Sequence, residues 1–147
     1  MIIGIGSDIV DIRRIEKLLA RYGARFTQRI FTADECRFAE NCKMPATAPA
    51  PATAPAIAYA NRFAAKEACA KALGVGFKGL GGKGGVRLVD MEVCRLPQKP
   101  PQFALHGTAL EHLHSLLPAA HKAHIHLSMS DEPPYAQAFV LIEAQPK

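Results

Sequence analysis

The sequence lacks tryptophan, a Cys-x-x-Cys pair and any long apolar run. Without paired cysteines, neither a zinc ribbon nor a dithiol redox motif is indicated, and we expect four reduced thiols. Without about 20 consecutive apolar residues, no segment is predicted to cross a membrane. The N-terminal residues have no basic stretch followed by an apolar one, so they predict no signal peptide and we expect a cytoplasmic protein.

The charge balance favours an acidic partner. Lysine and arginine number 18 against 13 aspartates and glutamates, which gives a net charge of +5. Nucleic acid, an anionic membrane surface, a polyphosphate or an acidic protein would each suit this charge. A nucleic-acid-binding module is expected to place aromatic residues beside its basic patch. The aromatic residues here fall mainly at core positions, which weighs against nucleic acid as the partner.

The length of 147 residues suits one domain. A Pro/Ala/Thr tract occupies 44–56, and its four prolines disfavour a helix there and favour extended backbone. The 43 residues before the tract are too few for a separate core. We therefore predict a single domain over 1–147 with a surface insertion at about 44–56.

Hydrophobic periodicity predicts the elements before the glycine-rich segment. Residues 2–7 alternate as a short strand with glycines on one face. Asp11 is placed to cap a helix that ends at Gly23, and Thr32 with Glu35 forms a capping box before a helix reaching about residue 39. A further helix is predicted from about Ile57 to Leu73.

The second half of the chain predicts strands around one helix. Residues 86–96 indicate a strand, a short strand and a helix from about Thr108 follow, and two strands finish the chain. The last strand, 136–144, is nearly continuously apolar, so we expect burial on both of its faces. This order predicts an α+β fold, a mostly antiparallel sheet packed on helices.

Three charged residues, Lys66, Glu67 and Lys71, lie on the predicted helix over 57–73. A solvated ion pair is the simplest interpretation, but the surrounding alanines indicate a closely packed helix, where charges need a metal or phosphate partner. Asp8 comes directly after the first strand, on the same face as its glycines. Asp11 already serves as the helix cap, so Asp8 is not needed for that role. Mg²⁺ takes one or two carboxylates and fills its remaining positions with water and phosphate oxygens, a pattern that Asp8 and Glu67 fit.

The segment 74–85 holds seven glycines, including Gly74 and Gly76, with Lys78 and Lys83. It follows a helix, so neither a P-loop nor a dinucleotide fingerprint applies. Its backbone N–H groups and lysines could hold phosphate, or it could be a plain hairpin loop. In 124–130 the polar row His124, His126, Ser128 and Ser130 is too polar for a simple core face, and no further ligand completes a zinc site.

Arginines form an outward face along the first helix and beyond it: Arg14, Arg21, Arg25 and Arg29. Since the apolar face of this helix is assigned to the core, the charge is available to an acidic partner.

With these pieces placed, the chain resembles the holo-acyl-carrier-protein synthase family, the small 4′-phosphopantetheinyl transferases. The matching segments run in order along the chain: GIGSDIVDIRRIEKL at 4–18, RIFTADE at 29–35, RFAAKEACAKALGVGF at 62–77, VDMEV at 89–93 and HLSMSDEPPYAQA at 126–138. The resemblance implies transfer of the phosphopantetheine arm of coenzyme A to a serine of apo acyl carrier protein, for fatty acid biosynthesis. It also implies a homotrimer with sites at subunit interfaces.

The resemblance further assigns roles to residues. Asp8 and Glu67 would bind Mg²⁺, and Asp8, Glu67 and Lys71 would form the catalytic group. The coenzyme would contact Lys66, Lys71, Gly74, Gly76, His126 and Ser128, while Arg14, Arg21 and Arg25 would meet the acidic carrier. The tract at 44–56 and the glycine content of 78–85 depart from the family. Alternative interpretations are a metal-dependent nuclease, whose core would need Glu-x-Lys on a strand, and a basic nucleic-acid-binding module.

Overall fold

The computed structural model describes residues 1–43, 52–76, 85–95 and 98–147. Most of the Pro/Ala/Thr tract and of the glycine-rich segment, with Lys78 and Lys83, lies outside them. The elements are β1 Ile2–Asp11, α1 Ile12–Tyr22, α2 Ala24–Ile30, α3 Ala33–Glu40, α4 Ala54–Ala72, a 3-10 turn Leu88–Asp90, β2 Met91–Cys94, β3 Gln102–Leu105, α5 Gly107–Leu116, β4 His121–Glu132 and β5 Tyr135–Pro146. Within this described part of the chain, no helix is long and apolar enough to span a bilayer.

A three-stranded antiparallel sheet in the order β1-β5-β4 forms the base of the fold, and β2 and β3 form a separate antiparallel pair. The helix α4 lies across one face of the larger sheet and contacts β1 and β5 most extensively. The predicted α+β class with a mostly antiparallel sheet is confirmed.

Glycines of β1 allow α4 to approach the sheet very closely. A Cβ added at Gly4 would collide with the carbonyl oxygen of Ala72, and one added at Gly6 would collide with that of Ala68. The glycine face predicted for the first strand is therefore the face that receives the helix. Because side chains alternate along a strand, Asp8 also points to the α4 side.

The helix caps are confirmed. Asp11 accepts a hydrogen bond from the backbone N–H of Arg13 at the start of α1, and Gly23 follows its last turn. Thr32 and Glu35 form the reciprocal capping box of α3. The short helix α2 was not predicted.

Three predicted boundaries are wrong. The first strand, predicted over 2–7, continues to Asp11. The helix α4 begins at Ala54 rather than near Ile57, with Thr53 as its cap. Pro55 lies in its first turn, where a missing N–H costs no helical hydrogen bond. Of the strand predicted over 86–96, only Met91–Cys94 is extended, because the 3-10 turn precedes it.

The predicted burial of β5 on both faces is also wrong. Its residues alternate, and only the row facing α4 is buried: Ala136, Ala138, Val140, Ile142 and Ala144. The other row belongs to a sheet face that no described element covers. On this open face Ile5 is 68%, Ile9 62% and Phe139 50% exposed.

Candidate active site

Asp8 and Lys71 meet where β1 passes under the last turns of α4. The Lys71 Nζ lies 2.8 Å from Asp8 Oδ1 and also donates to the carbonyl oxygen of Ser7 at 2.9 Å. The Asp8 side chain is 10% exposed, whereas that of Lys71 is 54% exposed. The lysine therefore covers a nearly buried carboxylate from the solvent side.

Glu67 joins this pair one helical turn before Lys71. Burial raises the pKa of Glu67 to about 7, the charge of Asp8 adds to the rise, and Lys71 and Arg14 oppose it. The effect of Asp8 on this pKa means that the two carboxyls, 59 positions apart in the sequence, stand side by side. The predicted convergence of Asp8, Glu67 and Lys71 is thus present in the fold.

The carboxyl pair has an oxygen that its neighbours leave unused. Asp8 Oδ2 is buried, and no described residue donates a hydrogen bond to it. Among the residues the structure describes, no group of three His, Cys, Asp or Glu side chains could enclose a metal. Two carboxylates with an unused oxygen fit Mg²⁺, which keeps most of its positions for water and phosphate oxygens.

Lys66 lies away from this group, contrary to its expected role at the coenzyme phosphates. Its side chain is fully buried, and its Nζ lies 2.7 Å from Glu35 Oε2. The same ammonium donates to the carbonyl oxygens of Met91 at 2.8 Å and Leu88 at 3.0 Å. All three N–H groups are used inside the protein, so none is open to a phosphate.

The two glycines after α4 stand in open space. A Cβ added to Gly74 or to Gly76 would meet no atom of the described residues within 4 Å. Gly74 has a φ of +69°, which glycine adopts without strain as the helix ends. Their contact with the coenzyme remains a prediction.

His126 and Ser128 lie on the open face of the sheet, on β4. The register pairs Ser128 with Phe139, whereas Asp8 pairs with Ala138 on the α4 face. The sheet therefore separates His126 and Ser128 from the carboxyl pair within one chain. The nearest acidic partner of His126 is Glu143, at 3.4 Å.

Arg14, Arg21 and Arg25 are all exposed on α1 and α2. Arg14 lies close enough to the carboxyl pair to lower the pKa of Glu67. The guanidinium of Arg21 lies over the Tyr22 ring at 5.1 Å. This basic surface thus borders the carboxyl pair.

A groove that the sequence did not assign runs along the first half of α4 beside β4. Its volume is about 830 Å³, and its polar lining includes Lys43, Asn61, Arg62, Arg95 and Asp131. Pockets for small molecules commonly have this size. The carboxyl pair lies farther along α4 beside β1, outside this lining.

Arg62 is the unusual residue of the groove. It is 3% exposed, its Nε has no hydrogen-bond partner among the described residues, and its guanidinium lies 4.0 Å from the centre of the Phe38 ring. Burial lowers the pKa of Arg62. The Oδ1 of Asn61 is likewise buried, and no residue in the described part of the chain bonds to it. The sequence signal that could have identified this residue is an arginine directly before an alanine-rich helix segment.

The chain as a whole matches one family of known proteins. The model of the 4′-phosphopantetheinyl transferase superfamily matches residues 4–138. A holo-[acyl-carrier-protein] synthase from Methylobacterium radiotolerans is 53% identical over 146 residues, which cover 99% of this chain and 96% of the relative.

Solved structures share the fold. The holo-[acyl-carrier-protein] synthase of Neisseria meningitidis is 34% identical with a TM-score of 0.71, covering 97% of this chain and 99% of that one. That of Bacillus anthracis, in complex with CoA (3′,5′-ADP), is 31% identical with a TM-score of 0.70 and covers 99% of both chains.

Proposed function

The chain belongs to the 4′-phosphopantetheinyl transferase superfamily, and we propose from this premise that it performs the holo-[acyl-carrier-protein] synthase reaction. It moves the 4′-phosphopantetheine arm of coenzyme A to a serine of an apo acyl carrier protein and releases adenosine 3′,5′-bisphosphate. The full-length identity of 53% to a synthase supports this activity. The observation that carries it is the meeting of Asp8, Glu67 and Lys71 at one place. Supply of carrier for fatty acid biosynthesis in the cytoplasm is part of the proposal.

Asp8 and Glu67 would hold Mg²⁺. The unused Oδ2 of Asp8 and the raised pKa of Glu67 both indicate that the pair needs a cation. When bound, Mg²⁺ would neutralise charge on the pyrophosphate of coenzyme A.

Lys71 would hold the pyrophosphate from the solvent side. Its half-exposed ammonium lies 2.8 Å from Asp8 Oδ1, within reach of a substrate oxygen beside the carboxyl pair. The serine Oγ of the carrier attacks the β-phosphorus, an oxygen–phosphorus bond forms, and the bond to the bridging oxygen breaks with its electron pair leaving on the bisphosphate. The base that accepts the serine proton is either Glu67 or a water molecule.

The groove along α4 would take the nucleotide end of coenzyme A. Arg62 has an unsatisfied N–H inside it, with Lys43 and Arg95 on its lining, which suits the 3′-phosphate. The groove lies beside β4 and the carboxyl pair beside β1, which are the two opposite edges of the sheet. One coenzyme would therefore contact the groove of one copy and the carboxyls of another.

A homotrimer would bring these parts together. The open sheet face exposes Ile5, Ile9 and Phe139, and such apolar surfaces mark interfaces. A second copy on this face would also approach His126 and Ser128, so their contact with the coenzyme remains part of the proposal.

The basic surface formed by Arg14, Arg21 and Arg25 would dock the acidic carrier protein. Its place beside Glu67 would bring the carrier serine to the reacting phosphate. Reversing the charge of Arg14 and Arg21 should weaken carrier binding most at low salt.

The test is a transfer assay read by mass spectrometry. The protein is mixed with coenzyme A, Mg²⁺ and apo acyl carrier protein, and the carrier should gain the mass of the phosphopantetheine arm. A chelator, Asp8→Ala or Glu67→Ala should abolish the gain. Ser115→Ala, an exposed change on α5, is the matched control and should transfer normally. A carrier of unchanged mass would end the proposal.

A further inference from the structure

Lys66 and Glu67 are neighbours in sequence on α4, but their side chains lie in different environments. Glu67 stands in the carboxyl pair, while Lys66 is fully buried and bonded to Glu35, Leu88 and Met91. An ion pair in a protein interior is costly to desolvate, and an apolar pair of similar volume is often as stable. Stability alone therefore does not account for this pair.

Glu35 connects Lys66 to two further elements. Its side chain is fully buried, and Oε2 accepts the backbone N–H of Thr32 at 2.9 Å as part of the α3 capping box. Its Oε1 accepts the backbone N–H of Val93 on β2 at 3.0 Å. The pair thus ties α4 to α3 and β2 through directional bonds with every partner satisfied.

Apart from the two hydrogen bonds that the half-exposed Lys71 donates to Ser7 and Asp8, the contact of α4 with β1 provides little such direction. The helix face consists of alanines, and Gly4 and Gly6 receive its backbone without side chains. Helices are normally fixed by side-chain ridges that fit into grooves of the neighbouring surface. A smooth alanine–glycine contact allows close approach but opposes rotation and sliding only weakly.

We propose that the buried Lys66–Glu35 pair fixes the rotation and axial position of α4 and thereby holds Glu67 beside Asp8. The inference rests on the proposed metal role of these two carboxylates. Lys66 is then a positioning residue that acts through Glu67 and touches neither coenzyme nor metal.

The geometry makes the site sensitive to a small rotation. A carboxyl at the side-chain radius of roughly 5–6 Å moves about 2 Å when its helix turns by about 20°. Mg²⁺ accepts little deviation from octahedral geometry. A loosened α4 would therefore lose metal affinity before it lost its fold.

The experiment measures Mn²⁺ binding by electron paramagnetic resonance for wild type and for Lys66→Met combined with Glu35→Gln. The double variant removes the charges and keeps the side-chain volumes. We expect a folded protein whose Mn²⁺ dissociation constant and half-saturating Mg²⁺ concentration both rise at least about tenfold. With saturating Mg²⁺, its KM for coenzyme A should remain within about twofold of wild type.

Cys69→Ala is the matched control, since it removes a fully buried atom of α4 outside the ion pair. It should lower the melting temperature and leave Mn²⁺ affinity unchanged. If the double variant does not fold, the same Mn²⁺ measurement is made on Glu35→Asp. This variant keeps the charge but draws the carboxylate back by one methylene, and its Mn²⁺ affinity should also fall.

The outcomes separate the two proposals. Unchanged Mn²⁺ affinity in the folded variant, or a raised KM for coenzyme A with normal metal affinity, overturns the positioning role while the metal site stands. A wild-type protein that binds no Mn²⁺ overturns the proposed metal site, and the positioning role with it.

Discussion

The two acidic residues of the proposed site would repel each other if both were ionised. Asp8 and Glu67 are close, partly buried carboxyls, and the pKa of Glu67 rises to about 7 as a result. Without a cation, one of the two holds a proton near neutral pH. On the proposed assignment, Mg²⁺ binding would displace this proton.

This shift sets the pH dependence of the metal-free protein. Because folding raises the pKa of Glu67, the folded state holds a proton that the unfolded chain has released, so stability falls as pH rises from the ordinary value towards about 7. We expect the unfolding free energy in chelator to fall on the order of 1 kcal/mol between about pH 5 and pH 7.5, after allowance for partial exposure. Urea titrations measure it.

Glu67→Gln is the control for that titration, since it cannot ionise and should remove most of the fall. Added Mg²⁺ should also reduce it, because the cation replaces the proton. An equal slope in the wild type and the variant would assign the pH dependence to other groups.

Gly6 sets how closely α4 approaches β1 beside the site. In Gly6→Ala the new methyl group would meet the backbone of Ala68 and Ala72, which cannot move without displacing α4. We expect a stability loss of about 1–3 kcal/mol, as for other overpacked contacts. Transfer activity should fall further than stability explains, because α4 moves away from Asp8. Thermal melting and the transfer assay measure the two effects, and Gly76→Ala, which meets open space, should melt normally.

At the scale of elements, α4 carries most of the proposed chemistry. Its charged residues were found from their spacing, and strand alternation placed Asp8 on the glycine face. The meeting of Asp8 with Glu67 was predicted from the ligand preference of Mg²⁺ and from the family resemblance. The inward turn of Lys66 was not predicted. Both Lys66 and Glu67 lie among alanines, so the pattern does not distinguish the buried charge, and Glu35 already had a role as a helix cap.

The groove beside α4 could not be predicted either, because α3, α4, β4 and the connection between β2 and β3 reach it from distant parts of the chain. Arg62→Gln should raise the KM for coenzyme A about tenfold and change kcat little, the effect of one lost charged contact. Steady-state kinetics measure both constants. Dephospho-coenzyme A, which lacks the 3′-phosphate, should be used equally by wild type and variant; an equal loss with both substrates would place the phosphate elsewhere.

At the scale of the whole molecule, the open sheet face explains the error over β5. A nearly continuous apolar strand indicates cover on both faces, and one chain covers only the α4 side. In the proposed trimer, a further copy would cover the second face of β5. The register still places Phe139 between Ser7 and Ser128, at the middle of the face.

Phe139→Glu should prevent assembly, because it places a charge at the centre of the proposed interface. Light scattering after gel filtration should give monomer mass, and transfer activity should be lost while circular dichroism stays normal. Leu116→Glu, which alters an exposed apolar residue on α5, should keep the assembled mass. A wild-type protein that is already monomeric would reject the trimer.

A mixing experiment tests the shared site directly. Asp8→Ala lacks the carboxyl pair, and Arg62→Gln is impaired in the groove. If each coenzyme spans two copies, mixed assemblies contain some sites with both parts intact. Activity at low coenzyme A should then exceed that of either variant alone, and no gain would confine the site to one chain.

The uncovered face also bears on how the protein would behave when scarce. A catalyst whose working parts come from separate molecules loses them as its own concentration falls, so turnover per molecule would drop on dilution. Below the dissociation threshold, a cell would gain activity more steeply than it gains protein.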